Sequence, residues 1–186
     1  MRKLFKIVFI LCVSVVLVQC GKDKYTVAKG KVGQITTKTT IKDLDKIFAN
    51  DSVVKILSEG AKGNFYFQDD DVYEVYEKGG KHLLTIIPKE QLDSTSTIKS
   101  IEIFDNRFKT ETGLNIFSTF NEVDANNVIS NIETSPFSAT IFIDDLNATI
   151  SIDKEELGLR DINMKKVSKE QIPDLAKMKS FIVWFE

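Results

Sequence analysis

Histidine and cysteine, the side chains most often recruited for proton transfer, nucleophilic attack and metal ligation near neutral pH, are almost absent from this chain. His82 is the single histidine, and the two cysteines are Cys12 and Cys20. A His and Cys zinc cluster cannot be assembled from that stock. A Ser-His-Asp triad would have to use His82, and the chain has no Gly-x-Ser-x-Gly turn, phosphate-cradling glycine loop or dinucleotide glycine fingerprint. His82 instead follows Gly79-Gly80-Lys81 and opens an apolar run, the position of a solvent-facing strand residue. What chemistry remains belongs to carboxylates. Asp69-Asp70-Asp71 with Glu74, and Asp144-Asp145 with Asn147, offer hard oxygens to calcium, but the twelve-residue loop with alternating ligands and a central Gly is missing. Turn chemistry accounts for both groups, because Asp and Asn bond their own backbone in turns. Two acids facing each other across a cleft would make a hydrolase, which is the enzymatic alternative. No catalytic residue, metal or cofactor is assigned.

The start of the chain is an address. Arg2, Lys3 and Lys6 precede an apolar run from Ile7 to Val18, which ends at Gln19-Cys20-Gly21. This is a signal-peptide layout, and the run is shorter than the ~20 residues a membrane helix needs. Leu17-Val18-Gln19-Cys20 resembles the lipobox of bacterial lipoproteins, with Leu17 and Cys20 on the pattern and Gln19 in place of the usual small residue. The resemblance implies acylation of Cys20, which then becomes the mature N-terminus, and attachment to the membrane through its acyl chains. The charged stretch that follows resembles the export tether of Bacteroidota lipoproteins and implies an outer-membrane-anchored protein facing the periplasm or the cell surface. Removing residues 1–19 takes away three bases and no acid, leaving 22 basic and 27 acidic residues. A charge of that sign argues against nucleic acid as a partner. From Tyr25 onward there is no thiol, so the exported domain has no disulfide.

Three stretches recur in the same order. Thr39-Thr40-Ile41-Lys42-Asp43-Leu44 matches Ser118-Thr119-Phe120-Asn121-Glu122-Val123, Pro88-Lys89-Glu90-Gln91-Leu92 matches Asp153-Lys154-Glu155-Glu156-Leu157, and Ile98-Lys99-Ser100-Ile101 matches Met178-Lys179-Ser180-Phe181. Collinear matches point to a tandem duplication. Thr40 with Asp43, and Thr119 with Glu122, have the spacing of capping boxes. Ile41, Leu44, Ile47 and Phe48 then form an apolar stripe, while Asn126-Asn127 ends the second helix early. Period-two patterns predict hairpins around Gly79-Gly80 and around Asp144 to Asn147, with each half closing on a hydrophobic strand, Ile98 to Phe104 and Ser180 to Phe185. The last of these is nearly continuous in apolar character, as in a central strand.

This pattern predicts an α+β fold of two tandem helix-plus-antiparallel-sheet units, with the helices packed on one face of the sheet. The organisation resembles that of beta-lactamase inhibitor proteins and of small outer-membrane assembly lipoproteins, on Gly113-Leu114-Asn115-Ile116, Thr119 to Val123 and the Lys179 to Phe185 ending. Ile172-Pro173-Asp174 and Ala176-Lys177-Met178 are similar to segments of uncharacterised flavobacterial lipoproteins. The expected division is a signal peptide over 1–19, a lipidated tether over 20–31, unit one over 32–106 and unit two over 107–186. At 186 residues, 42% hydrophobic and 28% charged, the chain is long enough to bury about 70% of its unfolded surface without staples.

Unit one is longer by about 14 residues in the repeat alignment, and the excess falls around Phe65 to His82. Tyr66, Tyr73 and Tyr76 lie in it, and tyrosines are favoured at recognition surfaces, so the three form the candidate recognition surface. Asp51-Ser52-Val53 and Asp93-Ser94-Thr95 resemble the acceptor sites of Bacteroidota O-glycosylation, which makes Ser52 and Ser94 candidate attachment points. The function expected is a non-catalytic binding or scaffold module for an envelope protein or other envelope component. Besides the hydrolase, the alternative is a purely structural subunit of an envelope complex.

Overall fold

A computed structural model describes residues 23–58, 70–158 and 167–185. Cys20, Tyr66 and Asp69 lie outside the described residues. Eleven strands are described: β1 (Val27–Ala28), β2 (Lys31–Val32), β3 (Ile35–Thr36), β4 (Ser52–Ile56), β5 (Val72–Tyr76), β6 (His82–Pro88), β7 (Ile98–Ile103), β8 (Ile129–Thr134), β9 (Ser138–Ile143), β10 (Ala148–Asp153) and β11 (Ser180–Trp184). Among the described residues, helix is confined to α1 (Leu44–Ile47), α2 (Phe120–Asn126) and three single 3-10 turns.

The α+β expectation is therefore corrected. The fold is mostly β, with one antiparallel eight-stranded sheet in the order β4-β5-β6-β7-β11-β10-β9-β8 and a small sheet β1-β2-β3. The helices are too short to form a layer of tandem helix-plus-sheet units. Both capping boxes are present, with the Thr40 N–H on Asp43 Oδ2 at 2.9 Å and the Thr119 N–H on Glu122 Oε2 at 2.8 Å. A cap fixes where a helix starts, worth about 1 kcal/mol, and says nothing of how far it runs. Leu44, Phe120 and Val123 still point their side chains into the core.

The period-two readings hold. Gly79 and Gly80 both have positive φ in the turn between β5 and β6, and Asp144 to Asn147 turns β9 into β10. The eight-stranded order consists of two four-stranded meanders joined through their last strands, β7 and β11. The matched stretches of sequence sit alike in the two meanders, since Thr40 bridges Thr97 just before β7 and Thr119 bridges Lys177 just before β11. β11 is central, as its apolar run requires.

Pairing carries one row of side chains across the sheet: Tyr73, Ile86, Ile101, Val183, Ala148 and Ile143. All six are buried. They share one core with Val27, Val32 and Ile35 of the small sheet and with Phe108, Leu114, Ile116 and Phe120 from the connections. Residues 27–31, within the stretch 20–31 expected as a tether, are paired into the small sheet.

Asp105, just after β7, is fully buried as a side chain and ties three segments together. Arg107 reaches both of its carboxylate oxygens and also Glu77 at 2.7 Å, while Lys81 lies 2.8 Å from Asp105 Oδ2. The Arg107 guanidinium also sits 4.9 Å over the ring of Tyr25, which packs edge-on against Phe108. Burial pushes the Asp105 carboxyl up, but the hydrogen bonds from Arg107 and Lys81 outweigh it and hold the group far below the usual carboxylate range. Removing the buried carboxylate takes its hydrogen bonds from Arg107 and Lys81, which are partly exposed, and leaves Arg107 paired with Glu77 alone, so Asp105→Ala should cost about 2 kcal/mol in urea denaturation. Because the folded-state value is depressed, this stabilisation is complete above the unfolded value of about 4 and is lost as pH falls below it. The acid-unfolding profile of Asp105→Ala should accordingly be flatter than that of the wild type below pH ~4.

Candidate functional site

The acidic clusters take structural roles. Asp71 is buried, and its carboxylate accepts the N–H and Oγ of Ser58 at 2.8 and 2.9 Å and the N–H of Leu92 at 2.5 Å. Burial raises its pKa, and those three donors together more than reverse the effect. Asp71 thereby pins the end of the β4 segment to the loop after β6, where Leu92 adopts a positive φ. Asp144 accepts the Ser130 hydroxyl at 2.6 Å across the β8 bulge, and Asn147 takes positive φ in the β9–β10 turn. Among the described residues no three of His, Cys, Asp and Glu come together as a metal site.

The tyrosines divide by strand parity. Tyr73 points inward and is 5% exposed, so it belongs to the core and is withdrawn from the recognition surface. Tyr76, three positions on, is half-exposed on the opposite face. Ser52 opens edge strand β4 and Ser94 lies in the loop between β6 and β7, both exposed.

The face that carries Tyr76 is the second face of the large sheet. One row runs across all eight strands: Val54, Glu74, Thr85, Glu102, Ile182, Thr149, Phe142 and Asn131. Most of these side chains are half-buried, in contrast to the closed core on the other side. Toward the β5–β6 turn the face bears a stack of rings. His82 lies 4.7 Å from Tyr76 and 4.0 Å from Phe104, nearly parallel to both. The solvent-facing histidine of the sequence reading is thus sandwiched, with Nε2 at 3.1 Å from both the Leu84 carbonyl and the Thr85 hydroxyl. Tyr76 donates its hydroxyl to Glu74 at 2.8 Å, which raises the tyrosine pKa.

At the other end of the face, Trp184 donates its indole N–H to Thr149 at 3.1 Å, and with Phe142 and Asn147 it lines a shallow depression of about 280 Å³. Residue type pointed to neither Trp184 nor Phe104. Their signal is parity: each alternates with buried residues of a strand the sequence predicts. The arrangement can do what aromatic and hydroxyl side chains on a flat surface do, which is to stack and hydrogen-bond a ligand or a partner surface.

Glu102 is the charged group at the centre of this face. Burial lifts its carboxyl above the usual range, against a smaller opposing influence from His82. A raised folded-state value contributes stability that is present at low pH and lost as pH rises through it. Glu102→Gln should therefore be more stable than the wild type at pH 7, by up to about 1 kcal/mol in urea denaturation, with the gain gone near pH 4.

No known protein family and no curated protein matches this chain. Among solved structures it is similar to the uncharacterized protein YfeY from Escherichia coli, with a TM-score of 0.57 and 16% sequence identity over 86% of this chain and 99% of that one. At that identity the likeness shows a shared fold.

Proposed function

We propose that this protein is a bacterial envelope lipoprotein, held to the outer membrane by acyl chains on Cys20, that acts as a non-catalytic binding module for a protein or other envelope component. The observation that carries the reading is the second face of the large sheet. The fold completes its core on one side only, and the other side presents Tyr76, His82, Phe104, Phe142 and Trp184 among Thr, Ser and Glu side chains. An aromatic surface with a polar surround has the composition of an interface centre. The lipid address is supported by the basic start, the apolar run and the Leu17 to Cys20 motif. The carboxylates that a hydrolase would need at Asp71 and Asp144 are engaged in holding backbone and turns.

Two measurements test the reading. Radiolabelled palmitate should enter the full chain and not Cys20→Ala, and the variant should leave the membrane fraction or remain uncleaved; equal behaviour of the two defeats the lipoprotein assignment. A photoreactive residue placed at Thr85 or Phe142 in the living bacterium should give one discrete, saturable adduct, whereas the same residue at Leu175, which is 77% exposed and off this face, should not. Equal adducts from all positions would remove the face from consideration.

A further inference from the structure

Charge is distributed unevenly along the chain. From Asp23 to Lys42 there are five lysines and one acid, whereas from Asp43 to the end there are 16 basic and 26 acidic residues. The basic piece folds as the small sheet. Its inward row, Val27, Val32 and Ile35, is at most 1% exposed and belongs to the common core. Its outward row is Ala28, Lys31 and Thr36. Lys29 stands in the β1–β2 turn, and a Cβ on the adjacent Gly30 would fall 2.8 Å from the methyl of Thr37, so that turn lies against the segment bearing Lys38. Lys109 joins the same surface, because Thr26 pairs with Lys109 alongside β1. Lys24, Lys29, Lys38, Lys42 and Lys109 are exposed, and none is in an ion pair among the described residues; the Lys29 ammonium donates to the neutral Asp144 carbonyl at 3.4 Å, which leaves its charge in place.

The piece is firmly seated. The Val27 N–H donates to the Lys109 carbonyl at 2.9 Å, and a Cβ on Gly33 would lie 2.6 Å from the Lys24 carbonyl. Cys20 precedes Asp23 by three residues, a span of at most about 10 Å even when extended. That is close to one Debye length in physiological salt. On the lipoprotein reading, on which this inference rests, the body cannot lie far from the headgroups, and the part beside the anchor is the basic part.

We propose that the outward face of the small sheet, centred on the exposed Lys29, Lys38 and Lys109, is a docking surface for anionic lipid headgroups. Lysines near such a surface contribute about 1 kcal/mol each, roughly a fivefold change per residue, and complement the acyl chains in fixing the body to the bilayer. Docking sets an orientation. The small sheet packs on the core side of the large sheet, so the aromatic second face turns away from the membrane.

The mature chain has no thiol beyond Cys20, so single cysteines report cleanly. The acylated protein, purified from bacterial membranes as Thr36→Cys or Thr140→Cys, is labelled with a fluorophore and reconstituted into vesicles of phosphatidylcholine alone or mixed with phosphatidylglycerol, each containing a headgroup-level nitroxide lipid. Thr36 lies on the outward row and Thr140 on the second face of the large sheet. With phosphatidylglycerol present, quenching at Thr36 should exceed that at Thr140 several-fold. High salt should abolish the difference, and so should Lys29→Gln, Lys38→Gln and Lys109→Gln together. Equal quenching at the two sites in protein that carries palmitate, or a difference indifferent to salt and to phosphatidylglycerol, overturns the docking surface and leaves the lipoprotein reading standing. Absence of palmitate overturns both. The salt titration needs no lysine variant, so the test does not depend on how the triple replacement folds.

Discussion

The fold depends on the pairing of β7 with β11. Without it the chain would hold two four-stranded meanders, each exposing an apolar edge, which is the arrangement soluble proteins avoid. With it, Ile101 meets Val183 at the centre of a continuous core row, and both are fully buried. The end of the chain is clamped from both sides, since the Trp184 N–H donates to Asn147 and the Phe185 N–H to Lys99. The Asn147 side chain returns a bond to the Trp184 carbonyl. Because β11 is the last of the described strands and lies fifth in the eight-strand order, the sheet closes only when residues 180–184 are available. That closure joins segments about 80 residues apart, a contact whose loop entropy is paid before it yields stabilisation.

Central pairing also produces the asymmetry on which a binding role rests. A sheet of this width needs only one covered face to supply a core, and here the small sheet, the two short helices and the connections from Phe108 to Phe120 cover it. The other face stays half-exposed and keeps its solubility through polar residues set between the rings. Glu74, Thr85 and Glu102 stand side by side on β5, β6 and β7 in one row, Thr149 follows beyond Ile182 on β10, and the bulge in β8 interrupts pairing at the outer edge. A wholly apolar surface of this size would aggregate. The half-buried Glu102 costs some stability at neutral pH, and its place at the centre of the face is consistent with a surface kept wet rather than sealed.

Local signals in the sequence were readable where a short-range rule governs. Thr40 with Asp43 and Thr119 with Glu122 cap helices as their spacing requires, Gly79-Gly80 turns a hairpin, and the run from Phe181 to Phe185 lies in the middle of the sheet. What failed depends on context. Caps mark starts, and tertiary packing decided that α1 would last a single turn, so a helical layer was expected and a β layer took its place. Strands of two residues, as in β1 to β3, have no periodicity to read. Tyr73 and Tyr76 carry the same chemistry, and only the parity of β5 sends one into the core and the other to the surface. Asp71 is a run-of-three acid in sequence and a buried backbone anchor in space, because its partners Ser58 and Leu92 are 13 and 21 residues away.

Charge and layering act together on how such a body would sit on a bilayer. The segment from Asp23 to Lys42 carries five bases against one acid, and the rest of the chain from Asp43 carries ten more acids than bases. Near an anionic surface the first part is attracted and the second repelled, so both favour the same orientation. The range of each is set by screening, about 8 Å at physiological salt. Stacked sheets lie about 10 Å apart, so a small sheet in contact with headgroups holds the large sheet beyond the reach of the field. The attraction then acts nearly undiluted by the acidic remainder, and a net negative protein can still dock through one basic face. The same stacking places the Tyr76, His82 and Phe104 rings on the far side, where a lipid-tethered module would need its contact surface to be.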